Sequence, residues 1–479
     1  MLARTALACL LVASHPALAA DVRTDLPDLG DESANFLSAQ DEKKLGAEFM
    51  RQARQVLRIS DDIELNEYIR ALGARVVKHS DAPDEKFHFF VVENPTLNAF
   101  AVPGGYVGIY SGLIVATQSE DELAAVVAHE IAHITQRHIP RLLAQANRAQ
   151  LPAMAAIIAA ILVSGSSGSG AQALTALGSA AYIQNQLNFT RGFEEEADRL
   201  GIGFLSRAGY DPAAMPAFFE RLQNWGRLNE GGLPEFLRTH PFTSSRISES
   251  RSRAERLPFK AQAPNEDFMF IRKRAEILTD TNSHAALEKA TAQRKDDKGG
   301  QPAVHDYAYA LALLRSGDTA KARTESERLL SSWPRELRYR LLRGDIELAA
   351  NQPTAALAYY RQALRQQPRS MLAQRRYGEA LMRAGQPRAA RDILHELARQ
   401  YPDDLALQQA LARAAGEAGL RVEAHRAMAE YYFGNGDMSA ALQQLAIARG
   451  AARTRYESAS IDARVAEVKD ALIALKTSP

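Results

Sequence analysis

Cysteine is nearly missing from this sequence: its 479 residues include one, Cys9. That residue falls in the first 20 positions, which read as a secretory signal peptide. Arg4 supplies the positive start, Ala6 to Ser14 the apolar core and Ala17-Leu18-Ala19 a small-residue cleavage site. A chain released from such a leader holds no thiol, which excludes disulfides and makes an oxidising compartment harmless. A charge excess is missing as well. Fifty-eight Lys plus Arg against 57 Asp plus Glu leave a net charge of +1, so nothing in the overall charge points to nucleic acid, and only a locally basic face is left open. There is also no apolar run long enough for a bilayer. Leu151 to Val163 would reach about 20 Å as a helix, against a hydrocarbon core of about 30 Å. It is expected as a helical hairpin or lid near the site, before a flexible Ser164 to Gly170, with peripheral membrane contact left open and no spanning helix.

What is present describes a globular protein of two or three domains, 46% apolar and 24% charged. Its chemistry centres on His129-Glu130-Ile131-Ala132-His133, inside Asp121 to His138. Residues four apart on a helix turn through about 400°, so His129 and His133 project from one face as a two-point clamp for a metal. Glu130, beside His129, can take a proton from a water on that metal, the arrangement of a zinc hydrolase. Ser119 and Glu122 have capping-box spacing, Leu123, Val126, Val127, Ile131 and Ile134 form a buried stripe, and Pro140 marks the end. The motif therefore belongs mid-helix, held against a core.

Before it, Asp21 to Gln40 reads as a loose arm, and Asp41 to Leu57 and Leu65 to His79 as helices packing on the motif helix. Lys86 to Val92 and Asn98 to Ile114 read as strands, the second stretch folded back at Pro103-Gly104-Gly105. Pro103 cannot donate to a ladder, so Asn98 to Val102 suits a sheet edge, where an extended peptide can add by main-chain pairing. After the motif, Glu194, Glu195, Glu196 and Asp198 open a helical stretch that Gly209 stops. A clamp of two histidines needs a third protein ligand, and a carboxylate from a second helix is a common one. Glu194 and Asp198 share a face, so one can bind metal while the other orients a ligand imidazole, but spacing does not choose among the three glutamates. Thr239 to Arg246 then puts His240 and Arg246 on a loop and a helix start, where either can face the site.

From about Ala303 a period of 34 takes over. It relates Pro334, Pro368 and Pro402; Ala322, Ala356, Ala390 and Ala424; Ala310, Gly344, Gly378 and Ala412; and Gly317, Gly385 and Gly419, with Asn351 in the missing place. This resembles tetratricopeptide repeats, in which small residues let paired helices approach and proline ends the second helix. Three repeats are well defined, a degenerate part follows through Leu420 to Gly450, and Arg453 to Lys476 is expected as the cap. Asn265 to Ala290 reads as coupling helices and Lys295 to Gly300 as a polar link.

Taken together, HEIAH at His129 to His133, EEEAD at Glu194 to Asp198, NAFAVPGG at Asn98 to Gly105 and THPFTSSR at Thr239 to Arg246 resemble the zinc metallopeptidase family of the CAAX prenyl protease and HtpX. The signal peptide and repeats are most similar to its BepA-type periplasmic members. The resemblance implies a mainly α chain: a gluzincin-type α+β metallopeptidase domain with a small β-sheet over 21–262, a helical linker over 263–302 and an all-α repeat solenoid over 303–479. It implies one Zn²⁺ held by His129, His133 and Glu194, with Asp198 behind them and substrate paired along Asn98, Ala99, Phe100, Ala101 and Val102. Glu130 is the expected base. His240 or Arg246 is expected to stabilise the oxyanion, and His240 alternatively fills the open metal position. The implied location is the periplasm. The implied work is degradation and assembly of outer-membrane β-barrel proteins, with their assembly machinery engaged through the repeats. The alternative is a chaperone or adaptor acting mainly through those repeats.

Overall fold

The computed structural model describes residues 37–145, 180–228, 235–260, 265–296 and 302–477. The leader, the arm up to residue 36, the apolar 151–163 segment, the Ser/Gly stretch after it and most of the polar link lie outside these residues. Among the described residues, no helix is long and apolar enough to cross a membrane.

The front domain runs α1 (Ala39–Val56), α2 (Ile63–Val77), β1 (His88–Val92), β2 (Ala99–Val102), β3 (Tyr106–Tyr110), α3 (Ser111–Ala116), α4 (Glu120–Thr135), α5 (His138–Gln145), α6 (Ala180–Ala208), α7 (Ala214–Leu228), α8 (Glu235–Thr239) and α9 (Ser244–Ala254). The sheet order is β1-β3-β2, with β3 parallel to β1 and antiparallel to β2. Gly104 at φ 81° and Gly105 at φ 85° make the turn, a left-handed region open to glycine. Among the described strands β2 pairs with β3 alone and is an edge. Alternation divides the sheet: Val91, Ala99, Val107 and Ile109 join the main core with α2 and α4, while Phe90, Phe100, Val102 and Tyr110 face the other way.

Two local expectations change here. Helix α1 packs on the outer sheet face through Met50, Ala53 and Leu57, rather than on the motif helix; α2 packs there, through Leu65, Ile69, Leu72 and Val76. Residues Ser111 to Ile114 are helical, not strand, because Gly112 turns in against the backbone of Pro95.

Gly46 of α1 sits on the hairpin turn, where an added Cβ would lie 1.9 Å from the Pro103 carbonyl oxygen. Alanine normally favours a helix over glycine by ~1 kcal/mol, but a backbone neighbour cannot swing aside. Gly46→Ala is expected to destabilise the protein by ~1–3 kcal/mol, seen as a lower thermal midpoint; a raised midpoint would contradict this packing.

The repeats are helix pairs: Pro302–Arg315 with Thr319–Ser332, Leu337–Ala349 with Pro353–Gln366, Met371–Arg383 with Pro387–Gln400, and Leu405–Glu417 with Arg421–Gly434. Met438–Ala451 and Arg455–Thr477 follow. Each first helix ends at a left-handed residue, Gly317 (φ 86°), Asn351 (57°), Gly385 (70°) or Gly419 (81°). The next amide closes on a carbonyl five residues back, as in Gln352 to Glu347 at 2.8 Å and Gln386 to Leu381 at 2.9 Å. Asparagine stands in for glycine because its side chain tolerates this region best among the others.

Helix Glu266–Thr279 joins the two parts, with Phe268, Ile271 and Ala275 in the front core and Phe270 and Ile277 in the first repeat's core. The solenoid then returns to the front domain. Arg54 donates to the Gly434 carbonyl at 2.8 Å, and Arg70 and Lys86 meet Asp404 and Asp403 at 3.4 and 2.8 Å.

Candidate metal centre and active site

Helix α4 begins as its spacing predicts: Ser119 Oγ accepts from the Glu122 amide, and the Glu122 carboxylate accepts from the Gln118 amide at 2.6 Å. Every residue from Glu122 to Ala132 is buried, so the helix is central rather than striped. Ile134 is only partly buried. The helix stops at Thr135, not at Pro140, because Arg137 turns to φ 52°; Pro140 lies in the first turn of α5. Arg137 is held there by Glu42 and the Leu37 carbonyl. Helix α6 passes close by at Gly201, whose Cβ would lie 3.2 Å from the His129 amide nitrogen.

This packing brings His129, His133, Glu194 and His240 to one point, one ligand atom from each within 4.8 Å of the others. His133 Nε2 is 3.0 Å from His129 Nε2, and His240 Nδ1 is 3.2 Å from His129 Nε2. Glu194 oxygens lie 3.4 Å from His129 Nε2, 3.3 Å from His133 Nε2 and 3.0 Å from His240 Nδ1. Asp198 Oδ1 faces His129 Nδ1 at 3.0 Å, which keeps the proton on that nitrogen and turns the Nε2 lone pair to the centre. Imidazole nitrogens this close, lone pair toward lone pair, with a carboxylate among them, form a donor set that suits a divalent cation. Glu130 is 1% exposed; its Oε1 has no hydrogen bond and points within 3.5 Å of His240 Nε2.

Charge follows the same geometry. Burial pushes the His129 pKa down, but the Asp198 and Glu194 carboxylates outweigh it and raise it to about 10, so the Nε2 lone pair is available to a metal that displaces a proton from it. Burial likewise raises both carboxylates, yet the surrounding imidazoles hold Glu194 well below the usual range, and His129 and Arg246 lower Asp198. Burial dominates at His133, which is lowered.

The acidic stretch of α6 is divided among tasks. Glu194 faces the centre, Glu195 is exposed, Glu196 bonds to His138 and Arg141, and Asp198 stands behind His129. Arg246 is 2% exposed and committed to Asp198 through two bonds of 2.8 and 3.0 Å, to the Pro241 carbonyl at 2.7 Å and to Glu194 at 3.2 Å. Asn98 precedes edge strand β2, which holds Ala99, Phe100, Ala101 and Val102 alongside α4. Reading by pattern missed His138 and Glu196. Both stood inside the quoted stretches, but the turn at Arg137 that joins them has no periodic signal.

A family model described as Peptidase family M48 matches residues 64–254, and two tetratricopeptide models match 307–370 and 347–414. The chain is 37% identical over 332 residues to a putative beta-barrel assembly-enhancing protease of Vibrio cholerae, covering 68% of each. It is 33% identical over 370 residues to the beta-barrel assembly-enhancing protease of Escherichia coli K12, covering 77% of this chain and 76% of that one. A further match, 33% identical over 180 residues, is the mitochondrial metalloendopeptidase OMA1 of Schizosaccharomyces pombe, covering 38% of this chain and 50% of that one. Buried donor set, family match and relatives agree: the chain belongs to peptidase family M48, a metalloendopeptidase domain carried with tetratricopeptide repeats.

Proposed function

We propose that this is a zinc endopeptidase of the periplasm, acting on misfolded or stalled outer-membrane β-barrel proteins and assisting their assembly. The observation that carries the chemistry is the convergence of His129, His133 and Glu194 beside the buried Glu130, whose Oε1 makes no hydrogen bond. The location rests on the leader-like first 20 residues, and the substrate class on what the bacterial relatives are called.

His129, His133 and Glu194 would hold the metal. Bound there, zinc supplies Lewis acidity, activating a water and polarising the scissile carbonyl. Glu130 accepts a proton from the attacking water and delivers it to the leaving amine, a task its short reach and dry surroundings suit. Asp198 keeps His129 in the right tautomer, and Arg246 holds Asp198 and Glu194 in place, a positioning role instead of an oxyanion contact. Among the described strands β2 is paired on one side only, and the other side is where an extended substrate adds, sequence-tolerant as quality control requires. A groove of 1090 Å³ between residues 61–63 at the start of α2 and the repeats, with Arg383, Arg413, Arg421 and Tyr432 in its lining, offers surface for the assembly machinery.

His240 Nδ1 completes the donor set, which closes the position that a catalytic site keeps open. His240→Ala is therefore expected to raise cleavage, by about tenfold if roughly one chain in ten has this ring withdrawn. A fall in activity with metal retained would return His240 to the oxyanion role.

The direct test incubates purified mature protein with an outer-membrane β-barrel, unfolded or folded. Cleavage of the unfolded form, lost with a chelator and restored by zinc, is expected. No cleavage by either the unsubstituted chain or His240→Ala would overturn the proposal.

A further inference from the structure

We propose that His138 and Glu196 are positioning residues for the metal ligand His133, forming a relay that aims its imidazole at the centre; this rests on the metallopeptidase reading above. His133 turns Nε2 inward, so its proton sits on Nδ1. That nitrogen lies 2.8 Å from Nδ1 of His138. Two nitrogens at this distance share one proton, and His133 must be its donor if Nε2 is to ligate. His138 then accepts on Nδ1 and carries its own proton on Nε2, which faces Glu196 Oε2 at 3.2 Å. Arg141 donates to that same oxygen at 2.9 Å, which holds the carboxylate in place. Only one direction of donation satisfies all these atoms.

The surroundings make the relay rigid. His138 is 3% exposed, and Phe193 stacks on it with centroids 4.5 Å apart and planes 13° from parallel. Arg141 also lies 4.7 Å from the Phe193 ring. The left-handed Arg137 is what returns the chain after α4, so that a residue five past His133 reaches back to it. Helix α6 thus supports both imidazoles of the clamp: Asp198 faces His129 directly, and Glu196 reaches His133 through His138.

Removing such a partner typically weakens metal binding by about 10–100-fold. The test is zinc affinity of the full mature chain, measured by competition with a chromophoric chelator, for the unsubstituted protein, His138→Phe, His138→Gln and Glu196→Ala. Phenylalanine keeps the stack on Phe193 but neither hydrogen bond; glutamine can accept from His133 and donate to Glu196. The proposal expects weaker zinc binding by about 10–100-fold for His138→Phe and Glu196→Ala, recovered in His138→Gln, with kcat falling more than KM. Glu196→Ala decides the matter if His138→Phe does not fold. Zinc bound as tightly by both folded variants as by the unsubstituted chain would overturn the relay while leaving the metal reading intact. No zinc on the unsubstituted chain would remove the reading on which it rests.

Discussion

Glu130→Gln is expected to lower peptide cleavage by about 10²–10⁴-fold while the metal stays bound. The two side chains have the same size, and Glu130 is not among the four groups that converge on the metal position. Its Oε1 is buried without a hydrogen bond, so a neutral amide fits without breaking one, and only the 3.5 Å approach to His240 Nε2 is altered. What disappears is the capacity to accept a proton. A variant with full metal content and full activity would exclude Glu130 as the base. A cell in which this variant replaces the unsubstituted chain without any defect would favour an adaptor that works through its repeats.

Arg274→Met is expected to cost about 3–5 kcal/mol and to loosen the repeats from the front domain. Arg274 is 5% exposed and pairs with both Asp62 oxygens at 2.8 and 2.6 Å, while also donating to Tyr307 at 2.8 Å. Tyr307 donates to Glu64, which also meets Arg376, and Arg376 reaches Asp345. The network runs from the start of α2 through the coupling helix into the repeats, and Asp62 also caps α2 by accepting from Leu65. Methionine keeps the volume but leaves the Asp62 charge without its partner.

The pH dependence follows. Burial raises the Asp62 pKa, but Arg274 outweighs it and holds that carboxyl below its ordinary value. A depressed carboxylate stabilises the fold above its unfolded pKa of about 4, and that contribution fades as pH falls through the folded value. Denaturant midpoints of the unsubstituted and Arg274→Met chains should differ widely at pH 7 and converge below about pH 4. A constant gap across that range would mean that packing, not charge, joins the two parts.

The repeats were the most legible part of the sequence, because each copy must meet the same local demands. A left-handed stop at Gly317, Asn351, Gly385 and Gly419, a proline after the first three second helices at Pro334, Pro368 and Pro402, and small residues at close approaches recur whatever the surroundings. The motif helix was legible through its cap and its paired histidines. Its burial on every side was not, since a helix rich in alanine shows little amphipathic contrast. Tertiary contact settled what periodicity leaves open: α1 shows an apolar stripe without saying which surface receives it, and Ser111 to Ile114 reads as strand until Gly112 meets Pro95. Among the acids of α6, spacing put Glu194 and Asp198 on one face without choosing among the three glutamates, and only the family resemblance pointed to Glu194. The turn at Arg137 gives Glu196 its partner and leaves Glu195 in solvent.

The most direct measurement of the central claim is bound metal per chain, by elemental analysis, on the mature protein and on Glu194→Gln with folding checked by circular dichroism. The account predicts about one zinc on the unsubstituted chain and its loss from the folded variant. No zinc on the first, or equal zinc on both, would contradict the assignment of His129, His133 and Glu194 as a metal centre.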